Sequence, residues 1–454
     1  MQETICPIPL EIKQKNEVKL VYIDSHDYCE EPRLDTQRLI SLFKASSQQN
    51  GFVYTKDLRQ ADFLIYYACG HLQDKEDESI RDIKELLKLK KSSAKLIVWG
   101  CLPKINPAAL REVYDGPLVG PEDCWDFFGR YFNLVEKREI NVHANVFNTS
   151  YMPKHKMNVK LTQKEKLTSI YGIFESQRAR IIHFGERRAR KNTWYIKIVH
   201  GCLNSCTYCS DRLAYKSVKS QPVESIIRQF ELGLNRGYRD FFFVGRDLGS
   251  YGYDLGITLP DLLDAIISKH GNANFKIWLT GISPNQLINI YPKLEKLLAT
   301  KKIVYLGSHI QSGSSRILKL MAKNFPLGKW VETIRHIENN YPWVSLETSI
   351  MVGFPSETEK DFEKSVRLLS YLHFGRVVMY KYNERPNLPS LKIKNRVSEE
   401  IKEARYFRML DHVTTLEVRE RMKPAKIFSF TTLNLFFDIA LVNLRGLLRN
   451  HFGW

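Results

Sequence analysis

The sequence predicts an α/β fold: an N-terminal doubly wound α/β domain, then an open, partial (βα)6 barrel, then a short C-terminal helical segment. In both halves of the chain, short apolar runs alternate with amphipathic segments of helical period. Strands separated by helices pair in parallel, which is typical of layered α/β domains. Six such units between residues 194 and 382 are too few for a closed eight-unit barrel and suit an open one.

The N-terminal domain is expected to span residues 1–135. Its strands are predicted at 18–23, 62–67 and 95–99, where apolar and β-branched residues cluster. The amphipathic segments 34–43 and 78–89 are predicted helices.

The partial barrel is expected to span residues 193–422. Its predicted strands are 194–200, 241–244, 275–279, 303–306, 343–352 and 377–382, and helical segments such as 259–270 and 359–372 lie between them. Barrels of this type carry their sites at the carboxyl ends of the strands. Motifs that directly follow these strands are therefore the candidates for function.

Composition narrows the functional class. The 454 residues carry a net charge of +18, which favours a polyanionic partner such as RNA. No apolar run reaches the roughly 18–20 residues of a membrane-spanning helix, and residues 1–15 have no signal-peptide core, so we expect a cytoplasmic protein without integral membrane association. In a reducing compartment the eight cysteines are not expected to form disulfides.

Two segments lack the βα pattern. Residues 136–192 are rich in cations, including Arg187, Arg188, Arg190 and Lys191, and are predicted to be a basic linker that is either a solvated segment or a strip facing a polyphosphate. In 423–454 apolar residues recur at helical spacing. This amphipathic helix either packs on its own barrel or contacts a partner or a membrane surface. Its apolar residues are Leu433, Phe436, Phe437, Ala440, Leu441, Leu444, Leu447 and Leu448.

A Cys-x3-Cys-x2-Cys loop follows the first barrel strand, with Cys202, Cys206 and Cys209 as its members. Three cysteines this close together are unlikely to occur by chance in a chain that has only eight. Structural zinc sites normally take four protein ligands, and no further Cys or His follows soon after Cys209. A [4Fe–4S] cluster held by three cysteines leaves one iron open for a substrate or cofactor, which makes a cluster the preferred interpretation over zinc or inert thiols.

This triplet on a partial barrel resembles the radical S-adenosylmethionine (radical SAM) enzymes. The resemblance implies that the open iron chelates S-adenosylmethionine and that reduction cleaves it to a 5′-deoxyadenosyl radical, which abstracts hydrogen from unactivated C–H bonds. Tyr208 matches the aromatic that this family places beside the adenine, the alternative being a packing role.

Within that superfamily, five blocks in register resemble the methylthiotransferases: residues 245–252, 279–284, 311–321, 348–362 and 380–390. Glu357 either contacts the cofactor or caps the following helix. Beside Tyr208, the resemblance implies cofactor-binding roles for Gly245, Asp247, Ser312, Gly353, Phe354, Pro355 and Glu357.

The family also holds an auxiliary [4Fe–4S] cluster on three scattered N-terminal cysteines, and Cys29, Cys69 and Cys101 match that pattern. Each follows a predicted strand, so they are expected to converge at one sheet edge. For any one of them alone, a buried free thiol is the alternative. Cys6 and Cys124 match nothing in the pattern and are interpreted as ordinary thiols.

The resemblance implies a transferase that converts C–H to C–S–CH3, with two [4Fe–4S] clusters, S-adenosylmethionine, a flavodoxin- or ferredoxin-like reductant and a sulfur donor. Both clusters are expected to face one cavity. The preferred substrate is a modified adenosine of tRNA, nearest the threonylcarbamoyladenosine branch. The alternatives are a protein or peptide residue, or radical chemistry without sulfur transfer at a degenerate auxiliary site.

Several positions depart from the family pattern. The Arg-Gly that normally follows the cysteine loop is replaced by Tyr215-Lys216, and the usual His-x-Pro by Gly307-Ser308-His309. The thirty residues after Pro424 are too few for the family's β-barrel RNA-binding TRAM domain. These departures bear on substrate contacts more than on the core chemistry. The other positions that depart from the family pattern are Pro32, Ala68, Gly70 and Ser349.

Overall fold

The computed structural model describes residues 18–25, 30–134 and 193–421, which form two parallel sheets and their helices. The predicted linker 136–192, the terminal segment 423–454, Cys6 and Cys29 lie outside the described residues. Within the described ranges, every helix is too short or too polar to cross a membrane.

The N-terminal sheet has five parallel strands in the order β2-β1-β3-β4-β5. The strands are β1 Lys19–Ser25, β2 Phe52–Thr55, β3 Phe63–Ala68, β4 Lys95–Gly100 and β5 Leu118–Val119. The helices are α1 Glu30–Asn50, α2 Gln73–Leu89, α3 Leu102–Ile105, α4 Pro107–Arg111 and α5 Cys124–Tyr131. The short β2 and β5 were not predicted, because they are too brief to show a period.

Burial explains why this sheet is covered on both faces. All six residues of β3 are buried, and alternate residues enter two separate cores. Ile65 and Tyr67 pack into one core, whereas Leu64 and Tyr66 pack into the other. A strand whose two faces are both apolar needs helices on both sides, which is the doubly wound arrangement. The predicted fold class is confirmed for this half.

The second sheet has six parallel strands whose spatial order follows the chain, as expected for a partial barrel. Its strands are β6 Thr193–Lys197, β9 Asp240–Val244, β10 Lys276–Leu279, β11 Ile303–Gly307, β12 Ser345–Val352 and β13 Arg376–Lys381. A small antiparallel ribbon joins β7 Val199–His200 to β8 Lys219–Ser220. All six predicted barrel strands are present, so the fold class is confirmed here as well.

Helices cover the outer face of this sheet, where a large apolar core contains Phe230, Phe241 and Phe275. The rings of Phe230 and Phe241 stack with centroids 3.9 Å apart. The helices are α6 Asp211–Ala214, α7 Val223–Asn235, α8 Leu259–His270, α9 Pro284–Leu298, α10 Ser315–Leu320, α11 Leu327–Asn340, α12 Glu359–Tyr371 and α13 Glu399–Arg421.

A capping box at the start of α12 provides a test of the fold. Thr358 and Asp361 cap each other's backbone, and the Asp361 carboxylate also accepts hydrogen bonds from Ser314 Oγ at 2.6 Å and from Arg316. Although burial raises the pKa of Asp361, the hydrogen bonds from Arg316, Ser314 and Thr358 outweigh it, and the pKa falls below the usual 3.8.

We expect Asp361→Asn to lower the free energy of unfolding by about 1–2 kcal/mol at pH 7, because it weakens the cap and leaves Arg316 without its carboxylate. A carboxyl group with a depressed folded-state pKa stabilises the fold above its unfolded pKa and loses that effect as the pH falls. The difference between wild type and variant should therefore shrink below about pH 4. Urea unfolding of wild type and variant at pH 7 and below about pH 4 measures this difference. A difference that does not depend on pH would contradict the stabilising role of the ionised Asp361 carboxylate.

Candidate functional site

The Cys-x3-Cys-x2-Cys loop leaves the barrel directly after β7. Gly201 begins it with φ +81°, a left-handed conformation that favours glycine. A Cβ atom at Gly201 would lie 2.1 Å from the Ser217 carbonyl oxygen, so a larger residue would displace the loop. Cys206 is buried, and Cys202 and Cys209 are partly exposed.

Asp247, which follows β9, fixes the position of this loop. Its buried carboxylate accepts hydrogen bonds from Ser250 Oγ at 2.8 Å, from the Ser283 backbone N–H at 2.9 Å and hydroxyl at 2.8 Å, and from Asn204 Nδ2 at 3.0 Å. The Cys202 Sγ lies 3.6 Å from the same carboxylate. Asp247 thus joins the ends of two neighbouring barrel strands to the first cysteine.

We expect Asp247→Ala to reduce the iron retained by the Cys202 loop several-fold, because the loop would lose its hydrogen bond from Asn204 and the buried Ser250 hydroxyl would lose its acceptor, the latter at a cost of about 1–3 kcal/mol. Iron per chain after anaerobic reconstitution measures this. Asp261→Ala is the matched control, because Asp261 caps α8 through Thr258. Equal iron loss in both variants would contradict a role for Asp247 at the cysteine loop.

The three cysteines line a cavity of about 270 Å³ at the carboxyl ends of the barrel strands. Tyr208 lines the same cavity, and its ring meets the Phe354 ring edge-on with centroids 6.3 Å apart. His71 and Leu72 contribute from the N-terminal domain, so the cavity lies between the two domains.

The chemistry of this loop fits a [4Fe–4S] cluster. A cubane takes its thiolates on separate irons, and the three thiols of the loop line one cavity. Burial, followed by the nearby Asp247 charge, raises the pKa of Cys202 to about 12, and burial raises that of Cys209 well above its usual value. These thiols therefore hold protons without metal, and iron binding must release them.

Only some of the residues to which the resemblance assigns cofactor contacts line this cavity. Asp247 and Tyr208 line it, whereas Gly245, Ser312 and the 353–357 segment are not among its lining residues. Ser312 is fully buried and accepts a hydrogen bond from the Ser314 N–H at 3.1 Å. Gly245 packs against Val199, and Phe354 and Pro355 are buried below Tyr208.

Of the two predicted roles of Glu357, the structure contradicts the helix cap, and the cofactor contact stays a prediction. Its carboxylate accepts the Gly353 N–H at 2.7 Å and pairs with Arg405 at 2.9 Å. The helix cap belongs to Thr358 and Asp361 instead. Glu357 therefore holds the turn after β12 to α13.

The N-terminal cysteines lie at one edge of their sheet. Tyr67 of β3 pairs in register with Trp99 of β4, and Cys69 and Cys101 each lie two residues beyond that pair. Both thiols are buried, and the Tyr67 hydroxyl lies 3.1 Å from Cys101 Sγ. β1 is the other neighbour of β3, and its last residue, Ser25, pairs with Tyr67 at the same edge. Cys29 lies outside the described residues, so its expected place at this edge stays a prediction.

The barrel covers this cysteine edge. Arg246 lines the cavity beside the Cys202 loop, and its Nη2 lies 3.7 Å from Cys101 Sγ. The Tyr215 hydroxyl lies 3.5 Å from the same sulfur. Arg246 thus connects the cavity of the Cys202 loop with Cys101, although neither Cys69 nor Cys101 lines that cavity.

Three buried ion pairs fix the docking of the domains. Glu31 of α1 binds Lys197 of β6 at 2.9 Å and Arg246 at 2.9 Å. Arg385, after β13, binds the Glu76 carboxylate and donates to the Gly70 carbonyl at 2.9 Å, next to Cys69.

Sequence reasoning missed Arg246 and Arg385 as individual residues, although both lie inside blocks that it singled out. Their partners in the N-terminal domain are more than 140 positions away in the sequence, so no local pattern marks them. The one available signal was their position directly after barrel strands.

Comparison with protein families gives two matches. Residues 196–369 match the radical SAM superfamily, and residues 26–118 match the family described as uncharacterized protein family UPF0004. The first match contains the Cys202 loop, and the second contains Cys29, Cys69 and Cys101.

Three relatives are each 27% identical to the chain. One is a probable threonylcarbamoyladenosine tRNA methylthiotransferase of Pyrococcus abyssi, aligned over 82% of this chain and 79% of the relative. Another is a ribosomal protein uS12 methylthiotransferase of Protochlamydia amoebophila, aligned over 79% of this chain and 70% of the relative. The third is a tRNA-2-methylthio-N(6)-dimethylallyladenosine synthase of Carboxydothermus hydrogenoformans, aligned over 87% of this chain and 83% of the relative.

A solved structure shares the fold. The radical SAM methyltransferase TsrM of Kitasatospora setae, with tryptophan and a SAM analogue bound, matches with a TM-score of 0.53 at 12% identity, over 82% of this chain and 75% of that one. At this identity the match concerns the fold alone.

Proposed function

The chain belongs to the radical SAM methylthiotransferases, which are transferases that use [4Fe–4S] clusters and S-adenosylmethionine, and from this premise we propose that it methylthiolates an N6-substituted adenosine of tRNA. The supporting observation is that one arginine connects the two cysteine sites. Arg246 lines the cavity of the Cys202 loop and also contacts Cys101. Sulfur transfer from one site to a substrate radical formed at the other needs this proximity.

When bound, the clusters and S-adenosylmethionine supply the hydrogen abstraction, the sulfur and the methyl group. The chain's own residues hold and enclose these reactants. Cys202, Cys206 and Cys209 would ligate the cluster at the barrel, and Asp247 keeps their loop in place. Cys69 and Cys101, with Cys29, would ligate the second cluster.

Charge supports an RNA substrate. The chain carries +18, and Lys323, Lys381 and His71 line the cavity. RNA recognition relies on phosphate contacts and on bases turned out of the helix into pockets, and both features favour a cationic cavity mouth.

The relatives support a second candidate, a residue of a ribosomal protein, since the uS12-modifying relative is as similar as the two tRNA-modifying ones. A third reading, radical chemistry without sulfur transfer, requires that the auxiliary cluster is absent.

One experiment separates these candidates. Nucleosides of total tRNA and peptides of ribosomal proteins, from cells with and without the gene, are compared by mass spectrometry. Loss of one methylthio-adenosine supports the tRNA proposal, and loss of a methylthio-peptide supports the protein candidate. About eight irons per reconstituted chain are expected, whereas about four would favour radical chemistry without sulfur transfer.

A further inference from the structure

The Cys101 sulfur is enclosed by polar groups from both domains. The Tyr67 hydroxyl of its own domain lies 3.1 Å away. From the barrel, the Tyr215 hydroxyl lies 3.5 Å away and Arg246 Nη2 3.7 Å away. The Cys101 thiol is 2% exposed, so these groups and not water form its polar surroundings.

Arg246 holds this arrangement together. Its Nη2 donates to the Tyr215 oxygen at 2.9 Å, which leaves the Tyr215 proton available for the sulfur. The guanidinium also lies over the Tyr215 ring at 4.8 Å from the centroid. The opposite side of the guanidinium pairs with Glu31 at 2.9 Å and with Asp211 at 3.4 Å.

Asp211 links this cluster of side chains to the other cysteine site, because it lies two residues after Cys209. The same guanidinium therefore contacts both the segment that follows the barrel cysteines and the sulfur of an N-terminal cysteine. The Arg246 side chain is 15% exposed, which limits the screening of its charge by water.

We infer that Arg246 and Tyr215 of the barrel are positioning residues of the N-terminal cysteine site, which donate hydrogen bonds to the Cys101 sulfur and raise the reduction potential of the cluster held there. This inference rests on the proposed function, which assigns a second cluster to that site. Reduction adds negative charge to a cluster, so a nearby cation and hydrogen bonds to its sulfur ligands favour the reduced state.

The test uses the full-length chain with Cys202, Cys206 and Cys209 replaced by alanine, so that any cluster present is at the N-terminal site. In this background we compare Arg246→Met, Arg246→Lys and Tyr215→Phe. The matched control is Arg212→Met, which removes a cation from α6, three residues before Tyr215. Arg212 donates to the Ser205 carbonyl at 3.0 Å. Iron per chain and a potentiometric titration followed by electron paramagnetic resonance are the readouts.

We expect the potential to fall most in Arg246→Met, less in Tyr215→Phe, and least in Arg246→Lys, which keeps the charge. Arg212→Met should stay near the background value. Loss of iron in Arg246→Met alone would also support the inference, because the control removes the same charge.

An unchanged potential in Arg246→Met at full iron content would overturn the inference and leave the proposed function standing. Equal shifts, or equal iron loss, in Arg246→Met and Arg212→Met would overturn it as well, because general charge would then explain the effect. If the background chain binds no iron at all, both the inference and the proposed two-cluster function fail.

Discussion

Replacing Cys206 by alanine is expected to abolish the formation of 5′-deoxyadenosine from S-adenosylmethionine, with a loss of at least about 100-fold. The physical reason is the number of donors at the barrel, where three thiolates would hold a [4Fe–4S] cluster. Cys206 is the most buried of these three proposed ligands, and the two that remain without it would be too few to keep the cluster. The assay is anaerobic, with chemical reductant, and the product is measured by chromatography.

Cys124→Ala is the matched control for this prediction. Cys124 is also a buried free thiol, but it begins α5 and its Sγ donates to the Pro121 carbonyl at 3.2 Å. This variant should keep both its iron and its product formation. Full product formation by Cys206→Ala would remove the basis for radical chemistry in this chain.

Much of the fold could be predicted because its signal is local. Strand β3 is a continuous apolar run. Such a run predicts a strand that is buried on both faces, and the prediction needs no knowledge of tertiary contacts. The cysteine loop could also be predicted, because its ligands are separated by three and two residues and need no tertiary contact to be recognised.

The remainder of the site depends on contacts between distant residues. The resemblance gave Glu357 a cofactor contact, and the position of its segment suggested a helix cap as the alternative. The Arg405 contact that engages its carboxylate comes from 48 positions later in the chain. The contact of Arg246 with Cys101 spans 145 positions and two domains. Sequence periodicity reports which face of an element is buried and carries no information about the partner that buries it.

Replacing Arg385 by methionine is expected to lower the free energy of unfolding by about 3–5 kcal/mol, because the Glu76 carboxylate would remain buried without its cation. Arg385 and Glu76 are 2% and 3% exposed. Arg385 Nη1 also donates to Gln73 Oε1 at 2.6 Å, and Glu76 Oε1 accepts from Asn106 Nδ2 at 2.8 Å. Methionine retains most of the side-chain volume, so the effect comes from the unpaired charge.

The double variant Arg385→Met with Glu76→Gln tests this cause. Removing both charges should recover a large part of the stability, whereas the loss of a packing contact would make the two effects add.

Arg408→Met is the control on the protein surface. Arg408 pairs with Glu359 and Glu363 but is 52% exposed, so its loss should cost less than about 1 kcal/mol. Urea unfolding compares the variants, and equal costs for Arg385→Met and Arg408→Met would contradict a buried ion pair between the domains.

The consequence for activity follows from the position of Arg385 next to the cysteine edge. Its Nη2 donates to the Gly70 carbonyl, and Gly70 directly follows Cys69. We therefore expect Arg385→Met to lose methylthio product more strongly than 5′-deoxyadenosine, because hydrogen abstraction needs only the barrel, whereas sulfur transfer needs the N-terminal domain docked on it. Both products are measured in one reaction, and an equal loss of the two would mean that Arg385 acts on the barrel itself.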